Sequence, residues 1–208
     1  MPRSFYARPT LDVLDDIIGK VLVHEMRGRI AAGAIVEAEA YIGEDDPACH
    51  AAPGPTRRNA PLYGKPGHAY VYLNYGLHYL VNAVTEDEGR PAAILIRALE
   101  PVEGLDLMRR RRARRRQSAA AIPDADLCRG PGNLTVALGI SLRQNTVDLV
   151  TGPLRLEDRG LHVGPLVRSS RIGIRVGIDR PWRCHVRGHE SVSGERGARA
   201  VRLRSPNL

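Results

Sequence analysis

Lysine is almost missing from this chain. Among its 31 basic residues only Lys20 and Lys65 are lysine, and the rest are arginine. A mechanism that forms an imine with its substrate needs a desolvated amine. Lys20 precedes an apolar strand and Lys65 sits in a Gly-Lys-Pro-Gly loop, so a water-using mechanism is favoured over a covalent one, with the N-terminal amine as the alternative nucleophile. Cysteine is equally scarce: Cys49, Cys128 and Cys184 are far apart, with no CxxC pair. That excludes a disulfide framework and a zinc finger and leads us to expect a reducing, cytoplasmic compartment. No apolar run approaches the roughly 20 residues of a membrane span, and the opening MPRSFYARPTLDVLDD holds no apolar leader segment. A membrane partner is therefore not expected.

Aromatic residues are few, with one Trp, seven Tyr and one Phe. Yet Tyr63, Tyr70, Tyr72, Tyr75 and Tyr79 crowd into one short stretch. The remaining composition is that of a globular domain, 43% hydrophobic and 26% charged over 208 residues. The net charge of +8 points to an anionic partner. The arginine preference by itself is also what a GC-rich genome leaves.

Periodicity predicts the elements. Thr10–Ile18 has helical spacing with Gly19 just past its end, and Lys20–His24 reads as a strand. Ala34–Tyr41 alternates apolar and polar residues and is predicted as a second strand. Gly43–Pro66 is a long loop of the kind that usually carries function. Ala69–Val84 is a strand-turn-strand breaking near Asn74–Gly76, and Ala92–Ala98 is another strand. Glu100–Arg116 is predicted helical with Pro101 in its first turn, and a second helix covers Leu134–Leu138 after a turn at Gly130–Gly132. Arg171–Val176 and Trp182–Val186 alternate and are expected to close the sheet. The fold class is α+β, a single domain over residues 1–193 followed by a frayed polar tail over 194–208.

Several residues carry chemistry. In a regular strand Glu37, Glu39 and Tyr41 share a face, with Val36, Ala38 and Ala40 opposite. The plain reading of that face is a solvated exterior; the alternative puts Glu39 at the mouth of a cleft, where one carboxylate deprotonates a water. Tyr75, in an Asn-Tyr-Gly turn, suits stacking or wedging between bases, and a tyrosine-rich sheet packed for stability is the alternative. Asn82 and Arg97 alone signal little. Cys49 and His50 are neighbours, but no further histidine stands at metal-ligand spacing, so no metal is expected. Arg109–Arg116 is a solvated helix end or a phosphate contact. The Cys128–Leu134 segment lacks the Lys-Ser/Thr of a phosphate-binding loop, which disfavours nucleotide hydrolysis.

Taken together, Ile35–Tyr41, Asp45–His50, Thr56–Asn59, Lys65–Gly67, the run Tyr70-Val71-Tyr72-x-x-Tyr75-Gly76, Asn82 and Arg97–Pro101 resemble the alkyladenine (3-methyladenine) DNA glycosylase family in order and spacing. Cys128-x-Gly-Pro-x-x-Leu and Arg171-Ile-Gly-Ile extend the resemblance, which covers residues 5 to 192. After Asn59 the chain departs from the family pattern, and neither Arg109–Arg116 nor the tail inherits a role.

The resemblance implies a curved, mostly antiparallel sheet flanked by helices, with no metal and no organic cofactor. It implies a monofunctional glycosylase of base excision repair, taking 3-methyladenine and, as further candidates, 7-methylguanine and hypoxanthine. The implied partner is double-stranded DNA containing alkylated or deaminated purines, met by a monomer in the cytoplasm, at the nucleoid in a bacterium. It makes Glu39 the general base and Arg97 a basic residue beside the water and the target phosphate. Tyr41, His50 and Tyr72 become the pocket around a flipped-out base, Asn82 the side chain that clashes with the guanine amine, and Tyr75 the wedge. Two rivals stay open at this point. One is a nucleic-acid-binding module without the chemistry. The other is a small-molecule acyl or formyl transferase, for which no Asn-His-Asp set or coenzyme site is visible.

Overall fold

One strand organises the architecture. In the computed structural model, which describes residues 1–116, 121–194 and 203, β2 runs over Arg29–Ile42 and is buried from Ala31 to Ala40 without a break. The alternation of its sequence is real, yet neither face is wet. Ala31, Ala32, Gly33, Ala34, Ala38 and Ala40 are small enough for other layers to approach both faces closely. The solvated-face reading of Glu37 and Glu39 is therefore wrong, since both are fully buried.

β2 pairs along one edge with β5 (Ala92–Glu103), while its other edge is divided between β1 (Val21–Met26) and β8 (Arg183–Val186). β5 continues through β4 (His78–Val84) to β3 (Ala69–Asn74). β1 pairs with β6 (Leu154–Glu157), and β8 with β7 (Leu166–Ser169), completing an eight-stranded antiparallel sheet among the described residues. It curls into a half-barrel, the curved antiparallel sheet that the resemblance implies.

The β2–β5 ladder is irregular at the positions that carry charge. Ile35 pairs with Leu99, Glu37 with Ala98 and Ala38 with Ile96, so Val36 on β2 and Arg97 on β5 are each an extra, unpaired residue. A bulge re-aims the side chain it carries. At Gly33 the strands approach so closely that a β-carbon there would lie 2.8 Å from Leu99 Cβ and 3.0 Å from the Glu100 carbonyl.

Helices α1 (Arg3–Tyr6), α2 (Thr10–Asp16), α3 (Leu105–Arg116), α4 (Asp124–Leu127) and α5 (Pro131–Leu138) accompany the sheet. Val13, Leu14, Leu134, Leu138 and Met108 from these helices join Ile35, Ile96 and Leu99 in the main core. A smaller apolar cluster lies beneath the loop after β2, where Cys49, Ala51 and Leu62 pack on Tyr70, Val84 and Ala93. The long loop is thus an ordered cap over the sheet, not a tether.

Three sequence expectations need correcting. β5 extends to Glu103, so Pro101 is a strand residue; it stands beside a register shift, where a missing N–H costs little. The helix begins only after Gly104, at Leu105. Arg171–Val176 forms no strand, because Gly173 and Gly177 take positive φ and the Arg171 side chain turns inward. β7 pairs with β8 in its place, and the sequence pattern points to neither β6 nor β7. The expected tail beyond Gly194 lies outside the described residues except for Leu203.

Gly33→Ala is expected to cost about 1–3 kcal/mol, because the crowding atoms are backbone and Cβ, which cannot swing away. Urea unfolding checks this; an unchanged midpoint would mean that β2 and β5 separate there without penalty.

Candidate functional site

The Glu39 carboxylate is fully out of water. Its Oε1 accepts the Ile172 amide at 2.7 Å, its Oε2 accepts the Tyr41 hydroxyl at 2.9 Å, and Arg97 Nη1 stands 3.2 Å from Oε2. Burial raises its pKa above the ordinary carboxylate range, against the pull of Arg97, Ile172 and Tyr41. Two residues back on the same strand, Glu37 has the opposite character. Arg97 Nε and Arg183 Nε donate to its Oε1 at 2.9 and 2.7 Å, and the Ser193 amide donates to Oε2 at 2.8 Å. Burial alone would raise its pKa too, but the two guanidiniums and Ser193 outweigh it and hold Glu37 ionised. Neighbouring carboxyls whose environments push their pKa values apart are the pattern of an acid–base site.

The Arg97 bulge is what places its guanidinium between these carboxylates. It bridges Glu37 and Glu39 with only 8% of its side chain exposed, and a part of it reaches the wall of a cavity of about 350 Å³. Tyr41, His50, Tyr72 and Asn82 line the same cavity, and Tyr75 stands at its rim. Glu39 is reached through three lining residues that bind it, Tyr41, Ile172 and Arg97. The structure thus gathers all seven sequence-predicted residues at one place, from β2, β3, β4, β5 and the loop cap.

The walls are aromatic and mutually fixed. The His50 and Tyr72 rings lie 4.5 Å apart at 69°, and Tyr70 and Tyr72 are 5.4 Å apart. His50 Nδ1 meets the Tyr70 hydroxyl at 2.9 Å, so Tyr70, to which the resemblance assigned no role, also belongs to the pocket. Burial and the nearby Arg58 lower the His50 pKa, which keeps its ring neutral at physiological pH. Asn82 Nδ2 donates to the Tyr70 carbonyl at 2.9 Å, which sets the amide's orientation.

Tyr75 contrasts with these. It is 87% exposed at the tip of the β3–β4 hairpin, where Tyr75 and Gly76 both have positive φ and the two strands end in register at Asn74 and His78. Leu73 and Leu77 are exposed beside it. The tip is braced from behind, since Arg115 on α3 donates to the Leu77 carbonyl and Gly132 on α5 is close enough that a β-carbon would collide with the His78 ring.

Sequence reasoning missed the clasp that holds the Ile172 amide. Arg171 and Asp46 form a fully buried ion pair, with contacts of 2.5 and 2.8 Å. The Arg171 guanidinium also lies 4.6 Å from the Tyr41 ring centroid and 5.2 Å from that of Trp182. Both residues stood inside recognised sequence blocks, but a loop Asp and an Arg 125 positions later carry no local mark of being partners. Among the described residues, no three His, Cys, Asp or Glu side chains gather as a metal site would require, and no helix is long and apolar enough to cross a membrane.

The model of a family described as "Methylpurine-DNA glycosylase (MPG)" matches residues 4–190. A protein of Methanocella arvoryzae named "Putative 3-methyladenine DNA glycosylase" is 43% identical over 201 residues, spanning 93% of this chain and 95% of its own. Proteins of the same name from Burkholderia lata and Rubrobacter xylanophilus are each 45% identical. They span 93% and 92% of this chain, and 91% and 99% of their own lengths.

Asp46→Ala leaves the Arg171 guanidinium buried without its carboxylate and should destabilise the protein by about 3–5 kcal/mol. Adding Arg171→Met should recover much of that loss, as chemical denaturation would reveal. A single variant as stable as the parent would show that Arg171 simply escapes to solvent.

Proposed function

The chain belongs to the methylpurine-DNA glycosylase family, and on that premise we propose that it is a monofunctional glycosylase that excises 3-methyladenine, and other alkylated or deaminated purines such as 7-methylguanine and hypoxanthine, from double-stranded DNA. Residues 1–193 form the glycosylase domain in this reading. The observation that carries it is a buried carboxylate of raised proton affinity behind an aromatic cavity, with an exposed tyrosine at the cavity's rim.

A base inside a duplex is out of reach, so the damaged nucleotide must first swing out of the stack, at a cost of a few kcal/mol. Tyr75 fills the space it leaves, on a hairpin tip too well braced by Arg115 and α5 to fold away. The base enters between Tyr41, His50 and Tyr72. A 3-methyladenine base is cationic in DNA, and tyrosine faces favour a cation by about 0.5–2 kcal/mol. The neutral His50 ring adds no opposing charge. Asn82, held by the Tyr70 carbonyl, occupies the space that the exocyclic amine of guanine would need.

A water beside Glu39 then gives its proton to the carboxylate while its oxygen bonds to C1′ of the sugar. The bond from C1′ to the purine nitrogen breaks, and its electron pair leaves with the base: a cationic alkylated purine departs neutral, while hypoxanthine departs as an anion that takes a proton from solvent. Ionised Glu39 also stabilises the positive charge that develops on the sugar. Arg97 keeps the carboxylate in place and presents its remaining exposed edge towards the cavity, where the target phosphate would lie. The lysine shortage fits water as the nucleophile: Lys20 is tied to Asp158 at 2.6 Å.

Glu39→Gln should reduce base release by about 10²–10⁴-fold while leaving affinity for a lesion-bearing duplex in place. Release without loss would remove Glu39 from the chemistry, and binding without release in the parent protein would make this a binding module. The rate should fall as pH drops through the Glu39 pKa, because only the ionised form takes a proton. Since that pKa is raised above the ordinary 4.5, the acid limb of single-turnover release belongs above pH 4.5. Tyr75→Ala should weaken lesion-duplex binding by about 1–3 kcal/mol; unchanged affinity by fluorescence anisotropy would count against the wedge.

A further inference from the structure

Glu37 has no part in the hydrolysis itself. The three partners of Glu39 all line the cavity, whereas Glu37 reaches it through Arg97 alone, its other partners Arg183 and Ser193 lying away from the lining. Such an investment needs a reason, because a buried ionised carboxylate is costly even when paired. A solely structural strand would bury an apolar residue there more cheaply, as its apolar neighbours Val36 and Ala38 do.

The geometry supplies the reason. Arg97 is shared: its Nε lies 2.9 Å from Glu37 and its Nη1 lies 3.2 Å from Glu39. Without an anion at Glu37 this guanidinium would be free to close fully on Glu39. We propose that Glu37 is a positioning residue, a permanent anion that holds Arg97 off centre and sets the charge balance in which Glu39 works. This rests on Glu39 as the base.

The charges around the pair can be named from each element that packs on it. β5 contributes Arg97, and β8 contributes Arg183 and, opposite Glu37 in the register, His185. β2 itself adds Tyr41, β3 adds Tyr72, and the loops add the mutually neutralised Arg171 and Asp46. The carboxylates of Glu37 and Glu39 thus face the guanidiniums of Arg97 and Arg183, two charges of each sign. Glu37 also raises the proton affinity of Glu39 by like-charge repulsion.

Changing one member on each side should move Glu39 in opposite directions. Glu37→Gln leaves two guanidiniums facing one carboxylate, which favours ionised Glu39. Arg183→Gln leaves one guanidinium facing two carboxylates, which favours protonated Glu39. The readout is single-turnover release of 3-methyladenine from methylated DNA as a function of pH, a substrate whose cationic base does not itself titrate in this range. E37Q should shift the acid limb down by about one pH unit and R183Q should shift it up, the size expected of a unit charge within about 4–6 Å. Slower release with the limb unmoved in both variants would make Glu37 a structural anchor and overturn the proposal.

Parent protein labelled with ¹³C at the glutamate carboxyls tests the premise that Glu37 is the permanent anion without depending on the folding of either variant. Glu39, identified by the resonance lost in E39Q, should take up its proton at a higher pH than the buried carboxyl coupled to it. The reverse order would also overturn the proposal. If E39Q still releases base, the base assignment fails instead, an outcome separate from any result with Glu37.

Discussion

Everything in this molecule depends on keeping two carboxylates of one strand out of water. Glu37 and Glu39 have no exposed surface, and isolated anions in such a position would be untenable. Arg97, Arg183, Tyr41, Ser193 and the Ile172 amide make them tolerable, and these groups arrive from widely separated parts of the chain. The sheet topology follows from that requirement. β2 must be central, because only a central strand can receive Arg97 from one edge and Arg183 from the other. The unpaired position of Arg97 in the ladder turns its guanidinium toward the pair.

The two halves of the site are supported differently. The cavity is a rigid enclosure of interlocked rings under an ordered loop cap, which the Asp46–Arg171 pair pins to the segment that also binds Glu39. The same clasp therefore holds the cap and presents the Ile172 amide that tempers the burial-raised proton affinity of Glu39. Tyr75, the proposed wedge, is instead an exposed tip on a stiff mount, with its side chain in solvent and its backbone braced by α3 and α5. The proposed discrimination among similar purines calls for the first kind of support, and the proposed entry of Tyr75 into a duplex calls for the second.

Much of this was legible from the residues. The α+β class, β3 and β4 with a break near Asn74–Gly76, and the long loop after β2 follow from periodicity and turn chemistry. The site residues became legible as a set only through the family resemblance, because Asn82 or Arg97 alone reads as an ordinary strand residue. What stayed hidden was the long-range electrostatics. Glu37 reads as half of a wet strand face until its partners at Arg183 and Ser193, 146 and 156 positions away, are known. Pro101 misled for a related reason: it is good in a first helical turn, and only the register shift explains its place in a strand. Arg171–Val176 alternates like a strand, but an arginine drawn into a buried ion pair and two glycines at positive φ override that pattern.

In the proposed reaction a buried, paired carboxylate meets the reacting sugar through the aromatic cavity. The most direct measurement is a crystal structure of this protein on a duplex in which a 2′-fluorinated sugar carries an alkylated purine and slows cleavage. The base is expected between Tyr41, His50 and Tyr72, the Tyr75 ring in the gap it left, and a water bridging Glu39 and C1′, with Arg97 still spanning both glutamates. A bound lesion whose C1′ lies out of reach of any water held by Glu39 would contradict it.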